Sequence, residues 1–290
     1  MSDFYGLPTA QLENRFIRLE YLINAGPRLV RLSYLGGPNL FAELPQIQVE
    51  TPVGPFYFRG GHRLWRSPEI MPETYFPDNT GLQVEKIVDG ARLIQEAGGE
   101  SGVTKRMDIH LSPDAPSLTI QHELRNEGNK TLNLAPWALT MFRLGGTAIM
   151  PQPVGASDPQ GFLYNRLLAL WPYTRIRDPR LLLHDDFLLV RAVPALPPVK
   201  IGCLNPAGWT AYWNEKLLFR KRVEVHTDAL YPDGGCNSEI YCNDRFVELE
   251  SLGPLVLLGP GQAASLTETW EIYDHLKQEF IPEALHEFLV

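Results

Sequence analysis

The sequence predicts an all-β protein: two large antiparallel sheets packed face to face, with one short helix at the C-terminus. Three observations predict this. Short stretches of alternating apolar and polar residues, the pattern of half-buried strands, recur along almost the whole chain. The 25 prolines and 24 glycines are spread between these stretches instead of gathering in one linker. Only the tail carries apolar residues at helical spacing. About a dozen strands with a single terminal helix fit two stacked sheets and no helical layer.

The alternating stretches run over 16–22, 29–34, 47–50 and 82–88, then over 105–111 and 118–124. They resume at 187–193, 199–204 and 217–225, and end with 246–250, 255–258 and 265–273. The stretch 118–124 is the clearest, because Leu118, Ile120, His122 and Leu124 face one way while Thr119, Gln121 and Glu123 face the other. His122 therefore lies on the apolar side, which predicts a hydrogen-bonded core histidine and not a ligand. In the tail 274–290, Leu276, Phe280, Ile281, Leu285 and Leu289 recur at about helical spacing, and Pro282 restarts the helix. No repeat and no shift of composition marks a boundary, so 1–290 reads as one domain.

Composition excludes several classes of function. The net charge of −8 and the absence of any Lys/Arg run argue against nucleic acid or an anionic membrane as partner. No apolar run approaches the roughly 18 residues of a membrane span, and no basic, then apolar leader opens the chain. Cys203, Cys236 and Cys242 cannot all pair with one another, and their spacing fits neither a CxxC redox site nor a zinc framework. Reduced, buried thiols in a cytoplasmic protein are expected, with no metal and no cofactor. There is no GxSxG, HExxH or P-loop.

Three stretches concentrate polar and aromatic groups. The first holds Gly60-Gly61 followed by His62, Arg63, Trp65, Arg66 and Glu69. Paired glycines allow close backbone approach. A Trp beside forked polar groups suits a sugar, whose C–H faces stack on the ring while its hydroxyls take the hydrogen bonds. The bland alternative is a loop whose charges pair and whose Trp fills the core. The second stretch runs from the turn Pro232-Asp-Gly-Gly through Glu239 and Tyr241 to Glu248 and Glu250, which share one strand face. Two carboxylates on one face push a pKa upward, as an acid/base pair needs, unless they merely face solvent. The third is the apolar strand around Trp137, either a core residue or a binding platform.

The residues 16–41, with Pro27-Arg-Leu-Val-Arg-Leu-Ser-Tyr34 and Gly36-Gly-Pro-Asn-Leu40, and the closing Pro260-Gly-Gln-Ala-Ala-Ser-Leu-Thr-Glu-Thr-Trp270, resemble the galactose mutarotase-like, or aldose 1-epimerase, superfamily. The resemblance covers nearly the whole chain; GGHRLW with its following Pro-Glu, and ELESLGP, look like a separate branch. It implies an antiparallel supersandwich and interconversion of sugar anomers without a cofactor. A Glu takes the proton of the anomeric hydroxyl and a His protonates the ring oxygen. Val247-Glu-Leu-Glu250-Ser resembles the strand bearing the family base, which puts that role on Glu250. Glu239-Ile240-Tyr241 is similar to a family Gln-Phe-Tyr, and Gly60-Gly61 with Trp65 implies that His62 lies near the sugar. Trp137 stands where the family has its acid His, and an indole cannot protonate a ring oxygen. The resemblance thus leaves two readings: an epimerase with Glu250 as base and His62 or an Arg as acid, or a protein that binds a small carbohydrate without turning it over. Arg63, Trp65, Arg66, Glu69, Trp137, Glu239, Tyr241 and Glu248 are the expected binding residues in either case.

Overall fold

The structure, a computed structural model, describes residues 2–97 and 102–274; the helix expected over 274–290 lies outside the described residues apart from Asp274. The early strands are β1 (Ser2–Phe4), β2 (Leu7–Glu13), β3 (Ile17–Leu22), β4 (Arg28–Tyr34), β5 (Glu43–Thr51), β6 (Gly54–Ser67), β7 (Leu82–Ile87) and β8 (Gly90–Gln95). The middle of the chain forms β9 (Val103–Leu111), β10 (Ser117–Asn126), β11 (Leu132–Arg143), β12 (Thr147–Pro151), β13 (Leu168–Leu170), β14 (Leu181–Leu183) and β15 (Phe187–Arg191). The last group is β16 (Val199–Cys203), β17 (Trp209–Asn214), β18 (Leu217–Val223), β19 (Ser238–Cys242), β20 (Phe246–Leu252), β21 (Val256–Leu258) and β22 (Ala263–Tyr273).

These strands form two antiparallel sheets. A 12-stranded sheet runs β1-β2-β3-β4-β6-β11-β20-β19-β16-β13, with β5 beside β6 and β21 beside β11; a 10-stranded sheet runs β14-β15-β12-β17-β18-β22-β10-β9-β8-β7. Early β6 and late β20 thus flank β11 in the middle of the larger sheet. Alternation is what joins the sheets. On β10, Leu118, Ile120 and Leu124 are buried while Gln121 and Arg125 face solvent. Inward residues of both sheets merge into one apolar cluster, including Leu19, Leu64, Phe142 and Leu249 from one and Ile109, Phe219 and Trp270 from the other. Burying each large apolar side chain contributes about 1.5–3 kcal/mol. Cys203, Cys236 and Cys242 are free and buried.

The double glycine has a backbone purpose. Gly60 and Gly61 have φ of +83° and +66°. A Cβ would lie 1.9 Å from Ala42 O at Gly60, and equally close to Leu29 O at Gly61. The close approach predicted here is to neighbouring strands, not to a ligand. It lets β6 leave β5 and pair with β4 and β11.

Beyond that kink, His62, Leu64 and Arg66 share one face of β6 while Arg63 and Trp65 share the other. The structure corrects the placement of His62. Its ring points between the sheets, fully buried, with Nδ1 2.9 Å from Thr140 Oγ1 and Nε2 2.8 Å from His122 Nε2. His122 Nδ1 meets Leu266 O at 3.0 Å, so His122 is a hydrogen-bonded core histidine. Glu268 joins them, with ligand-type atoms of all three within 4.8 Å of one another. No spacing in the sequence suggests this cluster. Its charge disfavours a cation, because Lys221 Nζ already sits 3.1 Å from Glu268 Oε1. Lys221 also reaches Leu249 O at 2.7 Å, fastening one sheet to the other behind β20.

Burial lowers both histidines below the usual imidazole range: His62 well below it, with His122, Lys221 and two arginines adding to the effect, and His122 against the opposing pull of Glu268 and the Leu266 carbonyl. The unfolded chain therefore takes up protons first as pH falls through about 6.5, and the native state loses stability below that pH. The loss reaches at most about 1.4 kcal/mol per pH unit for each histidine. Unfolding free energies between about pH 7 and about pH 5 check this. His62→Gln should show a shallower decline than the wild type, and equal slopes would mean that His62 is charged in the native state.

Candidate functional site

The outer face of the larger sheet carries the site. Five neighbouring strands, β6, β11, β20, β19 and β16, each send alternate side chains outward, and their register aligns them. Trp65 lies opposite Trp137, and Leu139 lies between Arg63 and Glu250. Glu250 faces Glu239, Glu248 faces Tyr241, and Tyr241 faces Lys200. The inward neighbours Val247, Leu249, Ile240 and Ile201 belong to the core, and this alternation is why the polar set points out.

A cavity of about 460 Å³ opens over this face, lined by Arg63, Trp65, Glu69, Trp137, Tyr241, Glu248 and Glu250 together with Phe58, Tyr75, Tyr173 and Lys200. That volume suits a small molecule. Aromatic rings form its base and walls. Trp65 contacts Trp137 and Tyr75 at centroid distances of 5.4 and 4.8 Å, and the Arg63 guanidinium lies 4.0 Å from the Trp65 ring centre. Tyr75 donates its hydroxyl to Glu69 at the rim.

Two buried cations organise the three carboxylates. Arg63 Nη2 donates to Glu248 Oε1 at 2.9 Å. Lys200 Nζ donates to Glu250 Oε2 at 3.0 Å and lies 2.7 Å from Glu239 Oε2. Its ammonium also lies 4.7 Å from the Trp137 ring centre and 4.4 Å from that of Trp171. Trp137 Nε1 donates to the same Glu250 oxygen at 2.8 Å. The other oxygen, Glu250 Oε1, and the Trp65 Nε1 donor have no hydrogen-bond partner among the described residues. Arg63 Nε is likewise unpartnered, so one acceptor and two donors, all buried and all on cavity-lining residues, still lack a hydrogen bond.

Burial raises Glu248 to about 7, helped by Glu250 and opposed by Arg63. Burial also pushes Glu239 well up, with Glu250 and Asp233 adding to it against the pull of Lys200. Burial works against the charge of Lys200, but Glu250 and Glu239 outweigh it and raise its pKa well above the usual lysine range. The site thus combines a firm cation with one carboxyl, Glu248, that holds its proton near neutrality, which suits proton transfer to and from hydroxyl oxygens.

Three expected site residues lie elsewhere. His62 is between the sheets, and Arg66 shares its face of β6, buried beside the inter-strand loop where Thr74 donates to its carbonyl oxygen at 3.3 Å. Glu239 faces the right way but lies under Lys200, fully buried, below the cavity wall. Sequence reasoning missed Lys200, Tyr75, Tyr173 and Trp171. Lys200 left a signal, being the charged member of an otherwise uncharged strand, Val-Lys-Ile-Gly-Cys. Trp171 and Tyr173 left none, because only folding brings their loop to β16.

No protein-family profile matches the chain, and no curated protein matches it. Among solved structures, a protein of Escherichia coli K12 named as a candidate aldose 1-epimerase superposes with a TM-score of 0.58 at 14% identity, over 93% of this chain and 100% of that one. A galactose mutarotase-like protein from Lactobacillus casei gives 0.57 at 13% identity, over 92% of this chain and 100% of its own. A TPR-domain containing protein from Parabacteroides distasonis gives 0.62 at 13% identity, covering 95% of this chain but 49% of that one. Likeness at such identity shows the fold. The chain has the galactose mutarotase-like fold that its motifs resemble.

Proposed function

We propose that this chain, folded like the galactose mutarotases, binds a small carbohydrate in the cavity and interconverts its anomers by acid/base catalysis. The observation that carries the reading is the pair of carboxyl groups on β20. Glu250 is oriented by Trp137 and Lys200 through Oε2, and its Oε1 is buried with no hydrogen-bond partner among the described residues. Glu248, two residues away and about 7 Å along the same strand face, is raised to about 7 by burial. Glu250 Oε1 takes the anomeric hydroxyl proton while the neutral Glu248 carboxyl donates its proton to the ring oxygen, so the C1–O5 bond breaks and the open aldehyde forms. Rotation about C1–C2 and the reverse proton transfers reclose the ring as the other anomer. The proton count is unchanged, and the acid role passes from the buried His62 to Glu248.

The test is to dissolve pure anomers of a panel of aldoses and follow optical rotation with and without protein. Exchange should be faster than buffer, and it should weaken as pH rises above about 7 as Glu248 loses its proton. Glu248→Gln should lower the rate and remove that decline. Binding without any exchange above buffer would favour the sugar-binding reading and end the catalytic one.

A further inference from the structure

The cavity over Glu248 and Glu250 continues into a second one. A neighbouring space of about 480 Å³ is lined by Pro68, Met71, Trp171 and Asp233, and it shares Glu69, Tyr75, Trp137 and Lys200 with the first. Each alone falls within the roughly 300–1,000 Å³ of small-molecule sites. Together they form a two-part cleft, longer than one sugar ring needs.

The division is built by the fold. Thr174 Oγ1 donates to Lys200 O at 2.9 Å and accepts from Lys200 N at 2.8 Å, and Thr174 N bonds Trp171 O at 2.8 Å. This turn is thereby pinned to β16 directly above Lys200. It sends Trp171 to the second space and Tyr173 to the first. On the facing side, the turn Pro232–Gly235 is closed by Cys236 N on Pro232 O at 2.8 Å and presents Asp233, at φ of 51°. The second space thus has an indole face, a thioether at Met71, and two carboxylates, Glu69 and Asp233, as hydroxyl acceptors. Its one cation, Lys200, is already held by Glu239 and Glu250. A phosphate or sugar acid would meet carboxylates with no unpaired cation among these lining residues. A neutral ring with hydroxyls on its edges and C–H groups on its faces would meet complementary groups.

Resting on the sugar-binding reading above, we propose that this second space is a subsite for a second neutral sugar ring, so that the preferred ligand is a reducing disaccharide or longer glycan. Its reducing ring occupies the space over Glu248 and Glu250, and the attached ring lies against Trp171.

Calorimetric titration with glucose, galactose, maltose, cellobiose and lactose tests this. At least one disaccharide should bind about tenfold or more tightly than its own reducing monosaccharide, the scale of one added ring–aromatic contact. Trp171→Ala should bring that ratio towards one. Glucose-6-phosphate should bind no better than glucose. Monosaccharides that bind as tightly as every disaccharide would overturn the second subsite while leaving the first reading intact, and this comparison needs no variant. No binding of any sugar would overturn both. A disaccharide preference unchanged in Trp171→Ala would overturn the placement of the second ring.

Discussion

Glu250→Gln is expected to lower anomer exchange by roughly 10²–10⁴, the usual contribution of a positioned general base. Affinity for the same sugar should change much less. The amide keeps the length of the side chain, and its oxygen can still accept from Trp137 Nε1 and Lys200 Nζ, which now bind Oε2. What the variant loses is proton uptake at the position of Oε1, which has no hydrogen-bond partner among the described residues. Initial rates by polarimetry and affinities by calorimetry separate the two effects. Equal exchange rates for wild type and variant, both well above buffer, would remove Glu250 from the base role. Glu239 would be a poor replacement, because it lies beneath Lys200 and is fully buried.

Lys200→Met is expected to destabilise the fold by about 3–5 kcal/mol, because removing one partner of a buried ion pair leaves the other charge without compensation. Here one ammonium, 5% exposed, serves two carboxyls that are 0% and 1% exposed. Methionine approximates the stem of lysine and can still lie between Trp137 and Trp171, so packing is largely kept. The deficit should depend on pH with a definite sign. Burial already raises Glu239 above its unfolded value, and without Lys200 the shift grows. A group raised in this way favours folding most fully below its unfolded pKa, and that contribution is lost as pH rises through the folded one. The variant should thus lie closest to the wild type in mild acid and fall furthest behind at alkaline pH. Adding Glu239→Gln should recover at least about 1 kcal/mol, a coupling that urea unfolding of the four proteins in the cycle measures. A Lys200→Met protein as stable as the wild type at every pH would mean that these carboxyls are not enclosed as the structure has them.

Much of the architecture follows from the sequence alone because its signal is local. Period-two alternation at 118–124, 217–225 and 265–273 fixes which side chains face the core, and the structure places strands β10, β18 and β22 there. The same parity puts Glu248 and Glu250 on one face and Val247 and Leu249 in the core. Arg63 and Trp65 stand out by residue type in the stretch after Gly60-Gly61, and Trp137 and Tyr241 by the resemblance; all four line the cavity. The kinked β6 was harder to read. Its glycines look like a ligand loop, because sequence shows that close approach is needed but not what approaches.

Only the tertiary structure decided the chemistry of the face. His62 and Arg63 are adjacent in the chain, yet one reaches His122 between the sheets and the other reaches Glu248 in the cavity. Which side of β6 is outside depends on β11 and β4, its partners in the sheet, and not on any neighbour in sequence. The pairing of Lys200 with Glu239 and Glu250 likewise spans 39 and 50 residues. Strand parity is set by the backbone within a few residues, whereas the pairing of charges across a sheet is set by strand order and register. Those depend on the sum of packing over the whole core, so no short stretch of sequence contains them.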